Sequence, residues 1–321
     1  MSTAIFPEPI REQLRAVERL MVEQAEGHHP DLRAALAHLV AAGGKRVRPA
    51  LVLLVGGMLK GETQPLSTFA AAVEMLHTAT LVHDDLIDGA LMRRGMPTLN
   101  AQWSPAATVL TGDFIFARSA TLAAATNSVQ VMRMFADTLA VIVSGEISQL
   151  FDGIHHTDRE RYYRRIYAKT ASLFELATAG AAVLSQAPEE QVEAMRRLGY
   201  ALGMAFQIVD DILDFTGSPA QMGKPIGSDL RNGIVTLPVL NYAERHPEAE
   251  GVVLLREGKA LPDPVLDELI EQVRQSEAIA QAAEEARQFV REAWRILSAF
   301  PQGQEREALW SLGAYIVDRE F

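Results

Sequence analysis

Long segments rich in Ala, Leu and Met dominate this chain and constrain its fold more than any other feature. They run through about residues 65–89, 105–125, 128–152, 170–186 and 189–216. Ala, Leu and Met are strong helix formers, whereas the two-residue alternation typical of a half-buried strand is scarce. Near the N-terminus, Ile10, Leu14, Val17 and Met21 repeat at the spacing of one helix face. The sequence therefore predicts an all-α fold.

The breaks between these segments are short, and the chain has no flexible linker, low-complexity tract or short-period repeat. The run LVLLV at 51–55 fits a buried strand or a helix by periodicity. It follows Pro49 and continues without a turn, so we interpret it as helix. Ser104 and Pro105 form the pair typical of an N-cap and a first helical residue. Length alone suggests roughly two domains, but without a linker we predict one helical domain over residues 1–321.

Composition excludes several classes of protein. The net charge of −11 argues against nucleic acid or an anionic membrane as a partner. The absence of Cys excludes disulfides and thiolate metal sites, and it fits a reducing, cytoplasmic location. The N-terminus lacks the apolar core of a signal peptide, and no run of about 18 uncharged apolar residues predicts a transmembrane segment.

Two DDxxD motifs lie inside apolar helical runs, and they are the main evidence for chemistry. The first, in LVHDDLIDG, contains Asp84, Asp85 and Asp88, and FQIVDDILDFTG repeats the pattern. On a helix the first and last aspartates of a motif share a face, where like charges repel. A single motif would be read as a solvated helix end, but two of them require another explanation. The second motif consists of Asp210, Asp211 and Asp214.

Carboxylate oxygens without thiols favour Mg²⁺, which keeps several waters and takes one or two carboxylates per ion. The remaining ligands of such an ion are typically substrate phosphates.

In an acidic chain, phosphate binding needs local basic residues. Lys45, Arg46 and Arg48 follow a double glycine before a predicted helix N-terminus, where anions bind well. Arg46 also fits an ordinary surface charge. Further basic candidates are Arg93, Arg94, Lys169 with Thr170 beside it, and Lys224. Together these residues predict a magnesium–diphosphate site.

The chain resembles the trans-polyprenyl diphosphate synthases. The resemblance is carried, in the family's order, by GGKRVRPAL (43–51), HTATLVHDDLIDGALMRRGMPTLNAQWS (77–104), LTGDFIFARS (110–119), KTASLF (169–174), FQIVDDILDFTG (206–217) and GKPIGSDLRNGIVTLPVL (223–240). It implies an all-α isoprenoid-synthase bundle with a central cavity, across which the two aspartate motifs face each other. It also implies a Mg²⁺-dependent prenyltransferase with two to three ions. The implied reaction is consecutive 1'-4 condensation of isopentenyl diphosphate with an allylic diphosphate (farnesyl or geranylgeranyl diphosphate).

The same resemblance implies roles for individual residues. All six aspartates are candidates for the metal site, with Asp84, Asp88 and Asp210 holding Mg²⁺ and Asp85, Asp211 and Asp214 supporting them. The residues expected at isopentenyl diphosphate are Lys45, Arg48, His77 and Arg94. Those expected at the allylic diphosphate are Arg93, Lys169, Thr170, Gln207 and Lys224. Thr170 and Gln207 would offer oxygen dipoles to the allylic cation, and the departing diphosphate would take the proton.

Product length depends on the residues about one turn before the first motif. Bulky aromatics there limit the cavity in short-chain members of the family, whereas this chain has Ala79 and Thr80. Small residues at these positions would also be explained by close helix packing. HTATLVHDD resembles the long-chain members, so we expect an all-trans product of roughly six or more isoprene units, serving as a quinone side-chain precursor. The alternatives are a short-chain geranylgeranyl or farnesyl diphosphate synthase, or a catalytic subunit that needs a small partner subunit.

The resemblance further implies a homodimer, and a heteromer that contains a small subunit is the alternative. It also implies transient contact with a membrane when the product is released.

Two other enzyme classes fit single features of the sequence. His83 and Asp84 could form the HD pair of a dimetal phosphohydrolase. A di-iron bundle needs two Glu-x-x-His motifs, for which Glu74 to His77 and Glu26 to His29 are the candidates. Neither class explains the second DDxxD motif.

Overall fold

The computed structural model describes residues 8–93, 95–151, 157–217 and 225–318. Helices account for nearly all regular structure there, which confirms the all-α prediction. In the first half they are α1 Glu8–Glu23, α2 Pro30–Ala41, α3 Val47–Met58, α4 Thr63–Ile87, α5 Leu99–Gln102, α6 Pro105–Ala125 and α7 Val129–Phe151. Then follow α8 Arg159–Ile166, a π-helical turn Tyr167–Ala171, α9 Ser172–Leu184, α10 Glu189–Thr216, α11 Ser228–Arg231, α12 Leu237–Arg245, α13 Glu250–Arg256, α14 Asp263–Gln275, α15 Ala278–Leu297 and α16 Gln304–Val317.

Local sequence signals explain where several helices begin. Ser104 caps α6 by accepting a hydrogen bond from the Ala107 amide, and Pro105 is the first helical residue. The run 51–55 lies within α3, as predicted. A two-residue antiparallel hairpin, β1 Met92–Arg93 and β2 Met96–Pro97, follows α4 and turns at Gly95, whose φ is +75°. These positions confirm the helix assignments, whereas this short hairpin was not predicted.

The chain forms two compact units, and each is described by itself. Unit 1 contains residues 1–138, 173–196 and 300–310. Here α4 packs along α6 and against α1 and α3. The helix face predicted for α1 is buried, since Ile10, Leu14, Val17 and Met21 are each at most 6% exposed. The aspartates of α4 therefore stand at the end of a helix fixed on several sides by apolar packing.

Unit 2 contains residues 139–172, 197–299 and 311–321. Its core joins the second half of α10 to α8 and α11–α15. Arg159 links three helices, because its guanidinium donates to Glu285 of α15 at 2.9 Å and to Glu244 and Asn241 of α12. The prediction of a single domain over 1–321 stays a prediction beside these two units.

One helix of the described ranges, α7, is by length and composition apolar enough to cross a membrane, and 11% of its apolar window is buried. The side chains of Val143, Ile147, Leu150 and Phe151 are exposed along its second half. The absence of a long uncharged apolar run predicts no spanning segment, and α7 does not form such a run because it contains Arg133, Asp137 and Glu146.

Candidate active site

The first aspartate motif occupies the carboxyl end of α4. Asp84 and Asp85 lie in the last helical turn, and Asp88 is the C-cap, followed by Gly89 with φ +63°. Asp85 is buried and accepts a hydrogen bond from Nε of Arg93 at 2.8 Å. Asp84 is half-buried and Asp88 is exposed. The motif thus divides into one buried, paired carboxylate and two that solvent can reach.

The position at a helix end makes this motif attractive to cations. A helix carries partial negative charge at its carboxyl end, where acidic side chains are unfavourable and cations are favourable. The last turn of α4 contains no basic residue. The second motif lies near the end of α10, with Asp214 in the last turn and Asp210 and Asp211 in the turn before it, and that last turn also lacks a basic residue. Both motifs therefore place carboxylates at or near a helix end whose dipole favours a bound cation.

The segment before α3 is anchored by Arg46, which corrects the interpretation of Arg46 as a surface charge. Its guanidinium is buried and donates to Glu18 at 2.7 Å, to Glu74 at 2.9 Å and to the Val40 carbonyl at 2.7 Å. Arg46 has φ +48° and is the N-cap of α3. This anchor positions the neighbouring Lys45 and Arg48 at the helix N-terminus.

The other two basic residues of this segment are half-buried. The guanidinium of Arg48 lies over the ring of Phe174, 5.1 Å from its centroid. A cation over an aromatic face is held by the ring quadrupole. Arg48 is thereby oriented within unit 1.

A small cavity of about 50 Å³ in unit 1 brings predicted site residues together. Its lining includes Gly43 of the double glycine, His77 and Asp85 of α4, and Arg93 of the hairpin. His38 of α2 also lines it, and its Nε2 lies 3.0 Å from the Pro97 carbonyl oxygen. Residues separated by about fifty positions in the sequence therefore share one pocket.

The second motif is more deeply buried than the first. Asp211 and Asp214 are 3% and 1% exposed, whereas Asp210 is half-buried. Asp214 accepts a hydrogen bond at 3.0 Å from the backbone amide of Asp229 in α11. This contact fixes the start of α11 to the motif.

Asp211 is held by two side-chain donors. Its Oδ1 accepts from Nε2 of Gln207 at 2.9 Å and its Oδ2 from the Tyr162 hydroxyl at 2.8 Å. Burial raises the pKa of Asp211 to about 7, and the nearby Asp229 carboxylate adds to the rise, while the two hydrogen bonds oppose it. Burial and the Asp211 carboxylate raise the pKa of the Tyr162 hydroxyl well above its ordinary value, so this tyrosine stays a hydrogen-bond donor.

The predicted pair Lys169 and Thr170 lies in the π-helical turn between α8 and α9. The Ser172 amide donates to the Tyr167 carbonyl, five residues earlier. Such turns are rare and frequent at functional sites. Thr170 donates to Oε1 of Gln207 at 2.6 Å, so two candidates far apart in the sequence are in contact. Nζ of Lys169 lies 3.9 Å from a carboxylate oxygen of Glu146 in α7.

A larger cavity in unit 2, of about 640 Å³, lies beside this turn. Its walls include Ser144 and Gly145 of α7, Arg161 and Arg165 of α8, and Ala168 directly before Lys169. Small side chains provide the space and arginines provide positive charge. The cavity can therefore accept an anionic group within an otherwise acidic chain.

The comparisons with known proteins agree with this geometry. A family model described as polyprenyl synthetase matches residues 29–272. The chain belongs to the polyprenyl synthetase family. Members of this family are metal-dependent prenyltransferases, which confirms the predicted enzyme class.

Individual members of the polyprenyl synthetase family are similar over almost the whole chain. Heptaprenyl diphosphate synthase component 2 of Bacillus subtilis (strain 168) is 35% identical, over 97% of this chain and 89% of its own length. The crystal structure of heptaprenyl diphosphate synthase from Staphylococcus aureus superposes with a TM-score of 0.91 at 32% identity, covering 97% of this chain and 98% of that one. A polyprenyl synthase from Caulobacter crescentus CB15, complexed with calcium and isoprenyl diphosphate, gives 0.89 at 34% identity, with 99% of each chain covered.

Two predicted residues of the polyprenyl synthetase motifs, Arg94 and Lys224, lie outside the described residues. Of the positions predicted to control product length, Ala79 is buried and Thr80 is half-buried, its hydroxyl donating to the His77 carbonyl. Ala79 is one turn before His83, against which α6 packs closely at Gly112. The burial of Ala79 fits close helix packing, and its role in product length stays a prediction.

The described part of the chain contains no group of three or more His, Asp or Glu side chains arranged to hold a metal ion by itself, and this applies to the DDxxD motifs as well as to the rival sites. Glu74, which a di-iron site would need, pairs instead with Arg46. Residues 26–29 lie between α1 and α2 and are not helical. Hard oxygen donors, few per motif, fit an ion that completes its shell with water and phosphate.

Sequence reasoning missed several residues of these sites. His38 and Glu146 carry no motif that would distinguish them from ordinary helix residues, and the Glu-x-x-His motif of Glu74 points to a di-iron site and not to its pairing with Arg46. Tyr162 did carry a signal, because it precedes Lys169 by seven residues, about two helical turns. Helical spacing could therefore have placed Tyr162 on the face that carries Lys169.

Proposed function

We propose that this chain is a Mg²⁺-dependent long-chain trans-polyprenyl diphosphate synthase. It condenses isopentenyl diphosphate repeatedly with an allylic diphosphate, farnesyl or geranylgeranyl diphosphate, in 1'-4 fashion. The observation that carries the proposal is the pair of helices, α4 and α10, that each carry a DDxxD motif at or near the carboxyl end without a compensating basic residue in the last turn. Membership of the polyprenyl synthetase family supports the reaction class.

The metal ligands in this proposal are Asp84, Asp88 and Asp210. These three are the solvent-accessible members of their motifs. Asp85, Asp211 and Asp214 support them, since each is buried and hydrogen-bonded to a protein donor. Two to three Mg²⁺ ions would stabilise negative charge on the departing diphosphate when bound.

Isopentenyl diphosphate is bound by Lys45, Arg48, His77 and Arg94. The grouping of Gly43 and His77 around one cavity supports a site in unit 1 for its diphosphate. The helix N-terminus at Val47 adds favourable dipole charge for an anion. Arg46 contributes indirectly by anchoring the segment that carries Lys45 and Arg48.

The allylic diphosphate is bound by Arg93, Lys169 and Lys224, while Thr170 and Gln207 lie along its reacting end. Cationic side chains stabilise the charge that develops as the carbon–oxygen bond breaks. The allylic cation is then attacked by the double bond of isopentenyl diphosphate, and proton loss to the departing diphosphate gives a trans double bond. The residues must also exclude water, which would quench the cation.

A long product is supported by the small side chains at Ala79 and Thr80 and by the heptaprenyl synthases among the relatives. We propose a product of roughly six or more isoprene units, used as a quinone side chain. A tyrosine at position 79 is expected to shorten it.

The assembly proposed is a cytoplasmic homodimer in which a second copy covers the exposed apolar side chains of α7, among them Val143, Ile147 and Leu150. A small partner subunit is the alternative, because the Bacillus subtilis relative is named component 2. Light scattering on the purified chain should give twice the 35.1 kDa mass, and Ile147→Lys should shift it towards monomer. A wild-type monomer would contradict the homodimer.

Incorporation of labelled isopentenyl diphosphate into an extractable product tests the reaction itself. Incorporation should need both substrates and Mg²⁺, and it should be lost in Asp84→Asn although the variant stays folded. Glu244→Gln is the matched control, because it also replaces a carboxylate by an amide but lies on α12 outside the motifs. This variant should retain activity. Incorporation that survives Asp84→Asn or removal of Mg²⁺ would refute the proposal.

A further inference from the structure

Three hydrogen bonds in unit 2 connect Tyr162 to the pair Thr170 and Gln207. Tyr162 donates to Asp211 at 2.8 Å, Gln207 donates to the other oxygen of Asp211 at 2.9 Å, and Thr170 donates to Gln207 at 2.6 Å. The four side chains come from α8, the π-helical turn and α10. They form one continuous network that ends at the residues proposed to face the allylic cation.

The network has a direction, because its members differ in what they can donate. Both oxygens of the Asp211 carboxyl group accept a hydrogen bond, one from the phenol of Tyr162 and one from the amide nitrogen of Gln207. Asp211 therefore takes the NH₂ group of Gln207 and turns the Gln207 carbonyl oxygen towards Thr170. The hydroxyl group of Thr170 donates its hydrogen bond to that carbonyl oxygen. The carbonyl oxygen of Gln207 and the hydroxyl oxygen of Thr170 each keep a lone pair for a neighbouring cation.

Tyr162 is the fixed end of the network. Its side chain is 2% exposed, and its ring contacts Arg165, whose guanidinium carbon lies 5.5 Å from the ring centroid. Asp211 and Thr170 are also buried, at 3% and 4%. Because these buried side chains have little room to rotate, the hydrogen bond from the Tyr162 hydroxyl fixes the orientation of the Asp211 carboxyl group. Gln207 donates to the other oxygen of that group. Buried networks of this kind gain rigidity when every member is satisfied.

We propose that Tyr162 is a positioning residue for the condensation, acting through Asp211 to hold the amide of Gln207 in the orientation that presents oxygen to the allylic cation. The inference rests on the proposed function. It gives Asp211 a definite part in that function, as the hydrogen-bonding link between Tyr162 and Gln207 rather than as a metal ligand. It also assigns chemistry to a tyrosine that belongs to neither DDxxD motif.

The chain supplies a matched control in the next residue. Tyr163 also lies on α8 and is partly buried, but its hydroxyl donates to Glu285 of α15. Tyr163→Phe therefore deletes the same atom as Tyr162→Phe without touching the network. The two variants separate loss of a tyrosine hydroxyl from loss of the contact with Asp211.

The test measures kcat and the KM of both substrates in the single variants. For Tyr162→Phe we expect kcat to fall about tenfold, which corresponds to the net contribution of roughly one hydrogen bond. The KM for isopentenyl diphosphate should stay within about twofold, because Tyr162 acts on the ionising substrate and not on binding. Tyr163→Phe should leave both constants near the wild-type values. An unchanged kcat in folded Tyr162→Phe, or an equal fall in Tyr163→Phe, would overturn the inference.

A double-mutant cycle separates positioning from a general structural role. If Tyr162 acts through Gln207, Tyr162→Phe should cause no further fall in kcat once Gln207→Leu is present, since contacting residues in one network are not additive. A full additional tenfold fall would show that Tyr162 acts elsewhere. Should Tyr162→Phe not fold, Asp211→Asn combined with Gln207→Leu gives the same test from the middle of the network. Wild-type protein that incorporates no isopentenyl diphosphate would instead refute the proposed function.

Discussion

The buried ion pair between Arg46 and Glu74 makes the sharpest stability prediction. The two side chains are 4% and 6% exposed, and their charged atoms are 2.9 Å apart. Replacing Arg46 with Met keeps an unbranched side chain but leaves the Glu74 carboxylate buried without its partner. Removal of one member of a buried pair costs about 3–5 kcal/mol of unfolding free energy. Glu18, at 33% exposed, can be solvated and should add little.

The loss can be read as a shift in melting temperature. Unfolding entropy of about 2.1 cal/mol/K per residue, over the length of this chain, gives roughly 1.5 °C per kcal/mol near the midpoint. Arg46→Met should therefore melt about 5–8 °C below the wild type, as followed by circular dichroism. Arg46→Met with Glu74→Leu should recover much of this loss, because the buried charge is gone as well. A shift under about 2 °C, or a double variant as unstable as the single one, would refute the reasoning.

Four further predictions address other parts of the chain. Gly145→Ala would place a methyl group 2.5 Å from the Cβ of Ala168, so it should cost about 1–3 kcal/mol in urea unfolding; an unchanged midpoint would contradict that close approach. Burial, and next its hydrogen bond with Glu285, raises the pKa of Tyr163 to about 12, above the ordinary 10.0. Because the pKa of Tyr163 is higher in the folded state, the stability that Tyr163 contributes is complete below pH 10 and is lost as the pH rises through 12. Its tyrosinate absorbance should therefore develop at higher pH than that of an ordinary tyrosine, and Tyr163→Phe should remove this step. Ala79→Tyr should shorten the product, and an unchanged product would favour the packing explanation for the small residue. Asp210→Asn should raise the Mg²⁺ concentration needed for half-maximal rate, and an identical Mg²⁺ dependence would remove Asp210 from the metal site.

The helices were predictable because their signals are local. The buried stripe of α1 follows from four apolar residues at helical spacing, and the start of α6 follows from Ser104 and Pro105. Hydrophobic periodicity and capping act within a few residues, so one sequence is enough to read them. The same holds for the positions of both DDxxD motifs near the ends of helices.

The parts that escaped prediction depend on contacts between distant residues. Arg46 is buried because Glu18 and Glu74, each 28 positions away, meet its guanidinium. The π-helical turn at Thr170 reflects a register change that no local propensity encodes. Burial of one aspartate and exposure of the next likewise follow from packing around the helix and not from the DDxxD pattern.

The length of the product tests the proposed long-chain synthase activity most directly. Purified wild-type protein would be incubated with Mg²⁺, labelled isopentenyl diphosphate and farnesyl diphosphate, and the products resolved by carbon number. We expect a ladder of intermediates that ends at one all-trans product of roughly six or more isoprene units. Extension that stops at geranylgeranyl diphosphate would contradict the long-chain assignment. No extension by folded protein, with or without an added small subunit, would contradict the proposed reaction itself.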